Sequence, residues 1–320
     1  MYVTLLITAA VLGVYLILYQ ILKGPRCTSS AKLHGKTVII TGGNTGIGKT
    51  TAVDLARRGA RVILACRNQQ RAMAAVIDIK RESGNDEVVY MHLDLASLQS
   101  VRSFAENFLK AETRLDLLIN NAGIFLEGRT EDGFGMIFGV NHLGHFLLTL
   151  LLLERLKECS PSRVVNVASK AHEFGTIDFN CLSTHKDLGV DSESLSGFQT
   201  LKLYSHSKLC NILFTLELAK KLEGTGVTCY SLHPGAIRTE IGRYTSLWWK
   251  MVIVPISFLL FVDPEAGAQT TLHCALQEGI EHLSGRYFSR CAVQEVSPKA
   301  KDDAVAKKLW EVSETLSGLS

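Results

Sequence analysis

The sequence predicts an α/β fold: one doubly wound parallel sheet of about seven strands, preceded by an N-terminal membrane helix. Short apolar runs rich in β-branched residues alternate with longer helical segments, the pattern of a parallel sheet covered on both faces. A glycine-rich turn follows the first run, where such folds open a ligand crevice at the carboxyl ends of their strands. A chain of 320 residues, 47% of them hydrophobic, is ample for one large core.

The elements follow in order. Val3 to Leu22 is uncharged, with Gln20 its one strongly polar member, and twenty apolar residues span a bilayer as a helix. Lys23, Arg26 and Lys32 follow at once, which places the rest of the chain on the cytosolic side. A cleaved signal peptide, and hence secretion, is the alternative; the length of the stretch and its lack of a basic leader argue against it. Residues 1–23 therefore read as anchor, 24–35 as linker and 36–320 as the catalytic domain. Strands are expected at 36–41, 61–65, 88–92, 115–119, 163–168 and 227–232. Helices are expected over about 49–58, up to Ser83, from Ser97 to about Leu109, over 134–153 as one long apolar helix, and from Tyr204 to about Leu222.

Composition removes several function classes. A net charge of +3 with 20% charged residues and no charge runs is not the profile of a nucleic-acid binder. The eight cysteines form no Cys-x-x-Cys pair, so zinc and redox motifs have little support. No Asn-x-Ser/Thr site occurs, and both facts lean toward a reducing compartment. His142 and His145 lie three apart on a helix without clustered carboxylates or cysteines, so they read as packing histidines and no metal is expected.

Chemistry gathers at the strand ends. Thr41 to Gly48 reads TGGNTGIG; its glycines at 42, 46 and 48 permit a tight turn and let a pyrophosphate approach the backbone at a helix N-terminus. After the second strand, Gly59 to Arg71 holds no acidic residue to bind a ribose 2′-hydroxyl, and Arg67 stands where a 2′-phosphate would sit. NADP(H) is thereby favoured over NAD(H). Asp94, with Leu95, ends the third strand and reads either as an adenine contact or as a turn leading into a helix. Asn120-Asn121-Ala122-Gly123 ends the fourth strand with small and amide residues suited to close packing against a cofactor. Ser169 ends the fifth and is placed to bond a substrate oxygen. Tyr204 and Lys208 stand four apart on one helix face, where an ammonium lowers a phenol's pKa toward working pH.

TGGNTGIG, NNAG, a serine after the fifth strand, YSHSK and HPG, in this order, resemble the short-chain dehydrogenase/reductase family over about residues 35–290. The anchor, the Cys66-Arg67 strand ending, NHLGHF and HPGAIRTEI are similar to its microsomal retinol dehydrogenase branch. The resemblance implies a Rossmann domain that moves a hydride between a nicotinamide and a lipophilic alcohol or carbonyl. It implies that Tyr204 is the acid or base, Lys208 its partner and ribose ligand, Ser169 the residue that orients the substrate oxygen, and Asn141 the holder of a relay water. Gly42, Asn44, Thr45, Gly46, Ile47, Gly48, Arg67, Asp94, Leu95, Asn121, Ala122 and Gly123 would contact the cofactor. Pro234, Gly235 and Thr239 would line the nicotinamide side, with Thr239 near the carboxamide.

Ser169 and Tyr204 are farther apart than is usual in the family, and the polar residues around Asn180 to Ser196 read as a loop insertion at the site rim. His206, inside YSHSK, reads as helix surface or as a neighbour tuning Tyr204. Leu247 to Val262 is strongly apolar, with Trp248 and Trp249, and reads as a substrate lid touching the membrane or as a buried segment. The expected partners are a lipophilic small molecule and the membrane, by default that of the endoplasmic reticulum; a homo-oligomer is left open. Another lipid carbonyl as substrate, or a silent cofactor-binding regulator, are the alternative functions.

Overall fold

The computed structural model describes residues 23–188, 197–235 and 263–319, together with Tyr2 and Gly13. The strands are β1 (Thr37–Thr41), β2 (Arg61–Cys66), β3 (Val88–His92), β4 (Leu117–Asn120), β5 (Ser162–Val167), β6 (Val227–His233), β7 (Tyr287–Ser289) and β8 (Ala292–Val293). The helices are α1 (Gly46–Arg57), α2 (Gln69–Ser83), α3 (Leu98–Ala111), α4 (Met136–Phe138), α5 (Gly144–Leu151), α6 (Leu153–Glu158), α7 (Phe179–His185), α8 (Gly197–Lys221), α9 (Pro264–Leu276) and α10 (Asp303–Ser317). The sheet order is β3-β2-β1-β4-β5-β6-β7-β8, parallel up to β7. The order reverses between β1 and β4, and that is where such sheets open a crevice.

Strand alternation divides the core. Val38 and Ile40 of β1 pack with α1, α2 and α9, while Ile39 faces α3, α5 and α8 on the other side of the sheet. Both faces are covered, which is why the central strands read as unbroken apolar runs. Each buried Ile or Leu contributes roughly 1.5–3 kcal/mol relative to exposure.

All six expected strands are present, and the sheet has two more. β7 and β8 are three and two residues long, too short to carry an apolar period, and β8 is antiparallel to β7. The helix expected over 134–153 is present from Met136 to Leu151 and carries a π-helical turn, Gly139–Leu143, between α4 and α5. It is closely packed there, since a Cβ on Gly139 would sit 2.5 Å from Thr130 Cγ2 and one on Gly144 would sit 2.7 Å from the Leu95 carbonyl. The expected rim loop is partly helical. Asp178 caps α7 by accepting the amides of Asn180 and Cys181, and Leu182 is buried.

The expected membrane helix and the apolar stretch 247–262 lie outside the described residues. Among the described residues, no helix is long and apolar enough to cross a membrane. The linker is docked: Arg58 donates to the Ser29 and Ala31 carbonyls, and the Cys27 amide donates to Gln269 of α9.

Candidate active site

The glycine turn between β1 and α1 is tied to the end of β4. The Thr41 hydroxyl accepts the amides of Asn121 at 2.9 Å and Ala122 at 3.0 Å, and Asn121 Nδ2 donates to the Thr41 carbonyl at 2.9 Å. Gly42 takes a φ of +65°, and a Cβ on Gly48 would meet the Gly42 carbonyl oxygen at 2.5 Å and Asn121 Nδ2 at 2.6 Å. No side chain caps α1 and no acidic residue occupies its first turn. Its amides are thereby left for an anion, so the cradle fits a pyrophosphate.

At the end of β2, Arg67 Nε stands 4.0 Å from Asp94 Oδ2. The other Asp94 oxygen accepts the Ala96 amide at 3.0 Å, so the carboxylate forms the turn into α3 while also facing the crevice. The turn reading of Asp94 is borne out, and the carboxylate also lines the crevice.

At the opposite end, β5 delivers Ser169 and α8 delivers Tyr204 and Lys208. The Ser169 hydroxyl accepts the Ala171 amide at 3.2 Å and lies near enough to the Tyr204 phenol to lower its pKa. Phe125 packs edge-on against the Tyr204 ring at 5.7 Å between centroids. Lys208 is 2% exposed and donates from Nζ to the Val167 carbonyl at 2.9 Å. The expected lowering of the phenol's pKa by this lysine does not occur here. Burial pushes Tyr204 up to about 12, opposed only by the Ser169 hydroxyl, and burial pushes Lys208 down to about 8. The ammonium is spoken for by Val167 and stands 5.5 Å from the Tyr204 ring centre.

Asn141 lies in the π-helical turn and is fully buried. Its Oδ1 accepts the Ile124 amide at 2.8 Å, and its Nδ2 donates to the Ile124 carbonyl and to Ser207 Oγ, both at 3.1 Å. Both amide hydrogens of Asn141 are engaged, while its Oδ1 keeps one lone pair.

One cavity of about 740 Å³ brings these residues together. Gly42, Asn44, Thr45, Gly46, Ile47, Gly48, Arg67, Asp94, Leu95, Asn121, Ala122, Gly123, Ser169, Tyr204, Lys208, Pro234 and Gly235 all line it. Asn141 stands behind the wall, and Thr239 lies outside the described residues. A second cavity, of about 570 Å³ between α8, β6 and the β7–β8 hairpin, contains none of the motif residues.

Sequence reasoning missed several lining residues. Arg71 sits one helical turn beyond Arg67, a spacing that signals a second cation at the same strand end. Phe125, two residues past NNAG, and His233, before Pro234, also line the cavity. His206 is no surface residue: it is buried, and its Nδ1 accepts the Thr176 amide at 2.8 Å. His142 packs among Phe138, Phe146 and Phe214 and bonds Ser313 of α10 at 3.0 Å.

The short chain dehydrogenase family matches residues 36–187. The human protein Dehydrogenase/reductase SDR family member 13 is 53% identical over 310 residues, covering 96% of this chain and 80% of its own. Human Retinol dehydrogenase 11 is 49% identical over 300 residues, covering 92% of this chain and 89% of its own. The crystal structure of an uncharacterized protein from Mycobacterium paratuberculosis superposes with a TM-score of 0.70 at 34% identity, over 92% of this chain and 98% of that one. With its glycine turn, serine, tyrosine and lysine gathered in one crevice, this chain belongs to the short-chain dehydrogenase family of oxidoreductases that use a nicotinamide cofactor.

Proposed function

We propose that the protein is an NADP(H)-dependent oxidoreductase of lipophilic alcohols and carbonyls, with retinol and retinal the leading pair, working at a membrane face. The convergence of Ser169, Tyr204 and Lys208 at one end of the glycine-turn crevice carries this reading. The names of the retinol dehydrogenases among the relatives support a retinoid. Arg67, at the end of a strand with no acidic residue, supports NADP(H).

The bound nicotinamide supplies or takes the hydride. Tyr204, a protonated phenol at neutral pH, gives its proton to the carbonyl oxygen during reduction and takes it back during oxidation. Ser169 orients that oxygen. Lys208 presents a positive charge beside the phenol and binds ribose hydroxyls. Asn141 would hold a relay water. The glycine turn and the α1 N-terminus would hold the pyrophosphate, Asn121, Ala122 and Gly123 would pack against the cofactor, and Pro234 and Gly235 would line its nicotinamide end.

The anchor reading rests on the uncharged stretch Val3 to Leu22 with basic residues after it, and it puts the domain on the cytosolic face of the endoplasmic reticulum. It is supported by a contact between chain segments. Lys23, which follows the anchor, pairs with Asp263, which follows the apolar stretch 247–262, at 3.1 Å. Residues 23 and 263, which follow the two apolar stretches in sequence, thus lie together.

The test is turnover by purified full-length protein with NADPH and a panel of retinal, sterol ketone and fatty aldehydes. Retinal reduction is expected, with Tyr204→Phe lowering kcat by at least about a hundredfold at unchanged NADPH affinity. Tight NADPH binding without turnover of any substrate would overturn the reading.

A further inference from the structure

NHLGHF contains a second histidine that the proposed chemistry does not use. His145 is 3% exposed and lies on α5, one turn after Asn141. It makes two polar contacts. Its Nδ1 is 3.2 Å from the Asn141 main-chain carbonyl, and its Nε2 is 2.8 Å from Thr41 Oγ1. Those two groups belong to the two halves of the site. Thr41 clasps the Asn121 and Ala122 amides in the cofactor cradle, and Asn141 holds Ile124 and Ser207 behind the Tyr204 end.

Hydrogen-bond arithmetic fixes the direction of every contact. A carbonyl oxygen only accepts, so Nδ1 carries the proton and donates to Asn141. Thr41 Oγ1 already accepts two amides, so both lone pairs are taken and its hydroxyl hydrogen is free to donate. Its other acceptor, the Ile119 carbonyl, is at 3.5 Å, and His145 Nε2 at 2.8 Å is the better one. The chain then runs from the cradle amides to Thr41, from Thr41 to His145 Nε2, and from Nδ1–H to Asn141. Every member is satisfied and the ring is neutral. Burial keeps it so, holding its pKa down at about 3, with Lys208 and His142 as the titratable neighbours that push the same way.

We propose that His145 is a positioning residue: as a neutral ring protonated at Nδ1 it couples the cofactor cradle at Thr41 to the Asn141 carbonyl and so sets Asn141, with its bonds to Ile124 and Ser207, behind the Tyr204–Lys208 pair. Asn141 sits in the π-helical turn Gly139–Leu143, and His145 reaches back to it from the first turn of α5. A displaced Asn141 slows the proton step while leaving the cofactor cradle intact, because Thr41 keeps both amides.

This inference rests on the oxidoreductase reading for its kinetic arm and not for its spectroscopic arm. In the full chain, His145→Phe keeps a ring and loses both bonds, whereas His145→Gln offers an amide with one acceptor and one donor at similar separation. His145→Phe is expected to lower kcat about tenfold and to raise the solvent deuterium isotope effect on kcat, with NADPH affinity within about threefold of the parent. His145→Gln should restore kcat to within about threefold of the parent and return the isotope effect. A loss of thermal stability in His145→Phe with kcat and isotope effect unchanged would make the residue structural only and sink the proposal. The second arm is nitrogen-15 NMR of histidine-labelled protein, with the His145→Gln spectrum identifying the signal. A neutral Nδ1–H ring from pH 5 to pH 9 is expected. An Nε2–H ring, or one that titrates in that range, overturns the proposal whether or not a substrate has been found. Failure of the lipid-aldehyde panel alongside an Nδ1–H signal would count against the functional reading and leave the hydrogen-bond chain standing.

Discussion

At the proton-transfer end of the crevice, Lys208 is 2% exposed and Asn141 is fully buried, each held by hydrogen bonds at 2.8–3.1 Å. At the adenosine end, the Arg67 side chain is 57% exposed and meets Asp94 at 4.0 Å. The first end is preorganised by packing, because buried polar groups that lost their partners would each cost about 1–3 kcal/mol. The second is held by screened charge and contributes little to the fold. The same crevice therefore combines a tightly packed end with a loosely held pair of charges, where the proposed 2′-phosphate clamp stands. Substitutions at the two ends should fail differently.

The largest effect is expected at the joint between the ends. Gly48 touches the Gly42 carbonyl oxygen and Asn121 Nδ2 at distances no Cβ tolerates, and neither neighbour is a flexible tip. Gly48→Ala must move backbone, at a cost of roughly 1–3 kcal/mol, so NADPH and NADH affinities should both fall by up to about a hundredfold. Isothermal titration with each cofactor checks this. Retained affinity would mean that the cradle is as pliable as the adenosine end.

A smaller and selective effect belongs to Arg67. Arg67→Ala should weaken NADPH about tenfold and leave NADH within about twofold, since a 2′-phosphate adds a charge-assisted contact that the 2′-hydroxyl cannot match. Equal losses for both cofactors would remove Arg67 as the phosphate clamp. They would pass the role to its neighbour Arg71, which lines the same cavity.

The sequence shows the two ends unequally well. The glycine turn, Arg67 and the Tyr204–Lys208 pair are local, and their spacing on a strand end or helix face is set by a few consecutive residues. The central strands are legible for the same reason. What stayed hidden depends on contacts between distant positions. The π-helical turn lies where Thr130 and Leu95 leave no room for a Cβ at Gly139 and Gly144. His145 reads as packing until Thr41, more than a hundred residues away, is placed 2.8 Å from it. The rim helix α7 was masked by its polar composition, and only the Asp178 cap and buried Leu182 account for it. The pKa of Tyr204 was misjudged because spacing brings Lys208 near the ring, while burial and the Val167 carbonyl determine what that proximity does.

The smallest expected effect at working pH, a halving near pH 8, comes from titration and tests whether burial governs the proton-transfer end. Burial lowers Lys208 to about 8 and raises Tyr204 to about 12, so the phenol stays protonated through the working range and the lysine is the first of the two to titrate. The sign follows from which form is needed. If charged Lys208 binds the ribose, the competent form exists below its pKa and is lost above it. The ratio kcat/KM for NADPH reports ionisations of the free enzyme. It should be level near pH 6–7, fall to about half by pH 8, and then decline about tenfold per unit. An ordinary exposed lysine would hold the profile level to about pH 10. Retention of full kcat/KM at pH 9.5 would show that Lys208 keeps its charge despite being buried. The contrast between the two ends would then lie in geometry alone, with the Val167 carbonyl outweighing the desolvation of the ammonium.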